Sequence, residues 1–139
     1  MALAMIIHLQ SVENTKQKFI KELGFECIDG DPSPNYFGRF GLVTMVHVLE
    51  HTQSPGLFLN AHKKYLSHHG ILFIEVPDAV EFDSLGKHHD EFNSCHLHFF
   101  TIPSLSTIVE RSGYKVFKIE SVFHNARGLS RIRLLARRV

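Results

Sequence analysis

Apolar positions along the chain follow two rhythms. Unbroken runs of strand length occur at "AMIIHL" (residues 4–9), "LVTMVHV" (42–48) and "ILFIEV" (71–76). They lack the alternation of a strand with one wet face and suit parallel strands covered on both sides. Between them, Phe19, Ile20 and Leu23 recur at helical spacing within "VENTKQKFIKELGF", with Gly24 at a C-cap position. A second helical rhythm runs over 56–70 through Leu57, Phe58, Ala61, Tyr65 and Leu66, after Ser54 and Pro55 as N-cap and first helical residue. "FECI" (25–28) reads as a short strand, and "DGDPSPNYFGRFG" (29–41), with two prolines and three glycines, as a loop. A long polar segment (77–95) precedes a helix in "TIPSLSTIVERSG" (101–113), then two strands, "YKVFKIESV" (114–122) and "SRIRLLARR" (130–138). This order predicts an α/β three-layer sandwich with a mostly parallel sheet and an antiparallel C-terminal strand. No repeat or composition break divides residues 1–139, so one domain is expected.

Composition narrows the partners. With 139 residues, 44% of them hydrophobic, there is enough apolar material for a core. A net charge of +1 gives no global field for nucleic acid or a membrane surface. Arginines do gather in the tail, at Arg127, Arg131, Arg133, Arg137 and Arg138, where alternation with Ile132 and Leu134 predicts a charged edge strand. A phosphate-bearing acceptor is the livelier reading of that cluster. Two cysteines, Cys27 and Cys95, are too few for a disulfide framework and fit a reducing cytoplasm; Cys27 is expected to be buried and inert. The apolar start "MALAMIIHL" is short and lacks a basic flank, so it reads as a strand rather than a signal or membrane span.

Histidine is the oddity, at eleven residues. In "VHVLEHTQSP" (46–55), His47, Glu50 and His51 would share one face of a helical turn. That face could hold a metal, do chemistry, or merely open a helix. In "CHLHFF" (95–100), His96 and His98 alternate ahead of the next helix, and Phe99 and Phe100 are expected in the core. An imidazole titrates near neutrality, which qualifies His98 as a general base; its plain alternative is packing against the helix that begins near Pro103. The cluster His88, His89, Asp90 and Glu91 reads either as a solvated loop or as residues choosing a substrate.

The stretch "GRFGLVTMVHVLEHTQSPGLFLNAHKKYLSHHGILFIEVPD", followed by "HLHFFTIPSLSTIVERSGY", resembles the C-terminal two thirds of a class I S-adenosylmethionine-dependent methyltransferase. The HVLEH segment, the "GILFIEVP" strand and the "HFFTIPSL" helix entry agree in order and spacing. The resemblance implies a Rossmann-like methyltransferase sandwich that begins at the family's second strand. It implies S-adenosylmethionine as cofactor and a small molecule, a sugar among the candidates, as methyl acceptor. Gln10 then stands where the family has an acidic ribose-binding residue, Gly30 and Asp31 match a pair beside the adenine, and His47 lies on the cofactor side. In sugar C-methyltransferases a Tyr-His-Glu-His run ends in the base; here the matching run is Cys95, His96, Leu97, His98, which nominates His98 with His96. Metal-dependent small-RNA 2′-O-methyltransferases are also similar here, and that likeness implies a divalent metal on His47, Glu50, His51 and one of His96 or His98, His96 being the nominee.

The chain departs from the family pattern in lacking a GxGxG turn and in carrying Gly41 where an aspartate often opens the fourth strand. With no strand preceding "AMIIHL", that strand is expected either to pair directly beside "LVTMVHV" or to leave a gap filled by a second copy. Two classes of function follow: a minimal methyltransferase, or a non-catalytic methyltransferase-like module that binds a partner or dimerises.

Overall fold

The computed structural model describes residues 3–7, 18, 21–24, 31–124 and 128–139. Among these, five strands form one sheet: β1 (Leu3–Ile7), β2 (Phe40–Val46), β3 (Leu66–Pro77), β4 (Tyr114–His124) and β5 (Leu129–Arg138), in the order β1-β2-β3-β5-β4. Two α-helices, α1 (Pro55–His62) and α2 (Ile102–Arg111), connect them. β1, β2 and β3 are parallel neighbours, and β5 runs antiparallel to both β3 and β4. The α/β class, the mostly parallel direction and the antiparallel last strand are those the sequence implies.

β1 pairs directly with β2, from Leu3 opposite Phe40 to Ile7 opposite Met45. This is the first of the two arrangements expected for that strand. Residues 8–17 and 25–30 lie outside the described residues, and with them Gln10, Cys27, Gly30 and the expected "FECI" strand. Lys18, Lys21 and Glu22 are helical, and Gly24 closes that turn at φ +84, donating its N–H to Lys21 O at 2.9 Å. Only glycine takes such a left-handed cap without strain.

Both α-helices pack on one face of the sheet. Leu59 of α1 and Leu105 and Val109 of α2 meet Val43, Met45, Leu72, Ile74, Ile132 and Leu134 in a single core. Two hydroxyls tie this layer to backbone carbonyls that α1 exposes: Ser112 Oγ donates to Gly56 O (3.3 Å) and Tyr114 to Leu59 O (2.8 Å). α2 starts with a reciprocal cap in which Thr101 accepts from the Ser104 N–H while Ser104 accepts from the Thr101 N–H.

Two expectations are corrected. The helix expected over 56–70 ends at His62, tightens into a 3-10 turn at Lys63–Tyr65 and gives way to β3 at Leu66. The apolar spacing that suggested a helix arises because Tyr65 and Leu66 enter the sheet core, Tyr65 anchored by its hydroxyl to Pro32 O. Gly70 lies in a bulge: β2–β3 pairing shifts register there, and a Cβ would stand 2.9 Å from Phe40 O. Second, β5 is not an edge, since β4 pairs outside it. Its arginines are engaged: Arg131 with Glu91, Arg133 with Glu75, Arg137 over the Phe117 ring, and Arg138 with Leu66 O.

The connection from β3 to α2 leaves and returns at one place. Asp78 bridges Phe100, and the Ala79 N–H donates to Phe100 O at 2.8 Å. Between these points, residues 79–99 carry 3-10 turns at Ala79–Ser84 and Asp90–Phe92. Phe100 is buried as expected, whereas Phe99 is 50% exposed and packs edge-on against Phe82 and Phe92. Among the described residues no helix is long and apolar enough to cross a membrane.

Candidate functional site

β2 ends at Val46, and the chain turns sharply at His47, whose φ of 53 is the only positive value among described non-glycine residues. Such backbone strain gathers at functional sites. The turn is held by the His47 N–H donating to Glu75 O (2.9 Å) and leads into a 3-10 turn at Leu49–His51. Glu50 is thereby buried, at 1% exposure, beyond the carboxyl ends of the parallel strands. That is where ligands of open α/β sheets bind. The returning connection lies across this turn, with the N–H groups of Leu97 and His98 both donating to Glu50 O (2.7 and 3.1 Å).

Glu50, His51 and His96 thereby converge, each offering a ligand atom within 4.8 Å of the others. Both imidazoles have a defined tautomer. His51 Nδ1 lies 2.9 Å from Cys95 O and His96 Nδ1 lies 2.8 Å from Glu91 O. A carbonyl only accepts, so each Nδ1 carries a proton, and in the neutral ring Nε2 is the atom with the lone pair. His51 Nε2 is 4.0 Å from Glu50 Oε1, and the two rings stand 4.7 Å apart. Glu50 Oε2 is buried without a hydrogen-bond partner. Two neutral imidazoles and a carboxylate suit zinc, iron or manganese better than a hard, oxygen-preferring cation. Three protein ligands would leave one position open for a reacting molecule.

The other site candidates separate. His47 does not join the three ligand atoms: its Nδ1 is 3.1 Å from Glu50 Oε1 and its Nε2 is 3.7 Å from Glu75 Oε1, so both nitrogens face carboxylates. Glu75 in turn accepts from Arg133 Nε at 2.6 Å. Asp31 lies at the other end of the strands. Its neighbour Pro32 accepts from Tyr65, which precedes β3, and its charge acts on His62 at the end of α1. His98 has Nε2 buried without a partner, its ring 6.0 Å from that of Phe100.

The sequence reading missed the parts played by three residues, Glu91, Arg131 and Glu75. Glu91, expected in a solvated loop or choosing a substrate, is buried, and its Oε1 pairs at 3.2 Å with Arg131, itself 2% exposed. Glu75 links His47 to Arg133. The available signals were a lone glutamate within the apolar run "ILFIEV" and an arginine falling among the apolar positions of β5.

Residues 7–119 match a family described as a methyltransferase domain. No curated protein matches the chain in sequence. Among solved structures, the fold is similar to a 1,6-didemethyltoxoflavin-N1-methyltransferase of Burkholderia thailandensis bound to its substrate and S-adenosylhomocysteine. That likeness has a TM-score of 0.68 at 16% identity, over 98% of this chain and 60% of that one. An S-adenosylmethionine-dependent methyltransferase of Aquifex aeolicus gives 0.70 at 15%, over 99% and 69%. The [4+2]-cyclase SpnF gives 0.69 at 14%, over 99% and 66%. At these identities the likeness concerns the fold, which in SpnF carries a cyclase, and the chain spans 60–69% of the length of these three structures. With the family match running from the end of β1 through α2 into β4, the chain belongs to the methyltransferase-domain family.

Proposed function

We propose that the protein acts in methyl transfer to a small-molecule acceptor, with Glu50, His51 and His96 holding a divalent cation at which the acceptor is oriented. The observation that carries this reading is the pair of imidazoles locked by backbone carbonyls with Nε2 free beside a buried carboxylate. Metal-binding histidines are held in this way, because the second hydrogen bond fixes both tautomer and ring direction. A bound cation would supply Lewis-acid polarisation of an acceptor oxygen. The protein's own part is positioning, with His98 Nε2, buried and unpartnered, as the base that takes the acceptor proton. S-Adenosylmethionine as methyl donor rests on the family and on neighbours such as the toxoflavin enzyme, whose structure holds S-adenosylhomocysteine. An RNA acceptor draws no support from β5, whose arginines are engaged within the fold.

A second reading is a cation-binding module of the same fold that transfers no methyl group. Two observations favour it: β1 pairs with β2 with no strand between them, and His47 has both ring nitrogens turned to carboxylates. Calorimetric titration with S-adenosylhomocysteine, with and without Mn²⁺ or Zn²⁺, separates the two. Saturable binding supports methyl transfer; a folded protein that takes up the metal but not S-adenosylhomocysteine supports the module. His51→Ala serves as control and should abolish the bound ion in elemental analysis. Wild-type protein that binds no metal removes the cation from both readings.

A further inference from the structure

We infer that Glu91, held by the buried guanidinium of Arg131, is the positioning residue that sets His96 as a ligand. The inference deepens the cation reading above and rests on it. Glu50 and His51 sit on one turn directly after β2, whereas His96 arrives on the 79–99 connection. Something must therefore fix that connection against the sheet. Glu91 does so from the inside: its Oε1 meets Arg131 of β5 at 3.2 Å, and the two side chains are 8% and 2% exposed. The same residue approaches the imidazole with two groups. Its carbonyl accepts from His96 Nδ1 at 2.8 Å, and its Oε2, buried and without a hydrogen-bond partner, lies 3.4 Å from that nitrogen. The result is a carboxylate beside the protonated nitrogen of an imidazole whose other nitrogen faces the cluster. A carboxylate in that place raises the basicity of the ligating nitrogen and restrains ring rotation.

Arg131 explains why the carboxylate can be there. A buried carboxylate without a counter-charge is strongly disfavoured. Arg131 supplies that counter-charge at Oε1, and Oε2 stays beside His96. The ion pair thus joins the far strand of the core to a ligand of the site without touching the cation.

The test is titration of the purified full chain with Co²⁺, followed through its visible absorption. It compares wild type, Glu91→Gln and the double variant Glu91→Gln/Arg131→Met. Gln keeps the backbone carbonyl and the shape but removes the charge. Should the lone buried arginine prevent the single variant from folding, the double variant removes that charge with an apolar side chain of similar length. Expected is a loss of Co²⁺ affinity of about 10- to 100-fold, the usual range for outer-sphere partners of metal ligands. It should come with a changed absorption band while the metal-free melting temperature of the double variant stays near wild type. A merely structural pair would move the melting temperature and leave the band of the folded fraction unaltered, which would overturn the inference. So would wild-type Co²⁺ affinity in the double variant, with the cation reading intact. Wild-type protein that takes up no Co²⁺ would overturn the cation reading itself, and this inference with it.

Discussion

Four histidines near the end of β2 share a side chain and differ in role because their neighbours differ. His51 and His96 face carbonyls through Nδ1 and keep Nε2 free; His47 is flanked by two carboxylates; His98 keeps a buried Nε2 with no partner. His98→Ala should therefore abolish turnover with little change in melting temperature, since its ring has no hydrogen bond to lose. Equal loss of both would assign the ring to packing against Phe100. A fifth, His62, behaves differently. Burial at the end of α1 pushes its pKa below the ordinary 6.5, outweighing the Phe58 carbonyl and Asp31, which raise it, while Lys64 lowers it further. The unfolded chain then takes up a proton first as pH falls. The stabilisation from a neutral His62 is complete above pH 6.5 and is lost as pH drops through the folded value. Urea midpoints measured from pH 7.5 down to 5 should fall less steeply in His62→Gln than in wild type. At this scale the sequence was partly legible. The spacing of His47, Glu50 and His51 marked this turn and the family resemblance pointed to His96, but only the fold could show that both ring nitrogens of His47 face carboxylates instead of joining the group.

At the scale of elements, the apolar runs located β2 and β3, although burial alternates along them, with Val43, Met45, Leu72 and Ile74 in the core and Leu42, Thr44 and Phe73 only partly covered. The same criterion failed at the start of β3, where Tyr65 and Leu66 matched a helical stripe while belonging to the sheet core. Periodicity reports burial, and a short 3-10 turn followed by a bulged strand buries residues at spacings that mimic a helix. The tail misled in the opposite sense. Alternating arginines look like an edge, and only the pairing of β4 outside β5 places Arg131 inside. The entry to α2 was marked by Pro103 and is fixed by the Thr101–Ser104 cap. Thr101→Ala should lower stability by about 1 kcal/mol in urea unfolding. Metal content should not change, because the cap lies beyond the Phe100 bridge and contributes no ligand. A drop in metal content equal to the stability loss would instead mean that α2 helps to hold His96.

The whole molecule divides its tasks between a packed layer and one excursion from it. The sheet, α1 and α2 bury the core, and the turn after β2 supplies Glu50 and His51. Residues 79–99 leave and rejoin this layer at the Asp78–Phe100 bridge, return with His96 and His98, and touch the interior through the Glu91–Arg131 pair. Because its ends already meet, the excursion behaves as an exchangeable cassette. Its length can change at little entropic cost, about 0.6 kcal/mol for a doubling, and its sequence can drift wherever it leaves the buried Phe82 and Glu91 in place. New chemistry can then be acquired by rewriting a single loop while Glu50 and His51 of the proposed cation site stay in place. A fold that serves a methyltransferase in one protein and a cyclase in another is compatible with that kind of divergence.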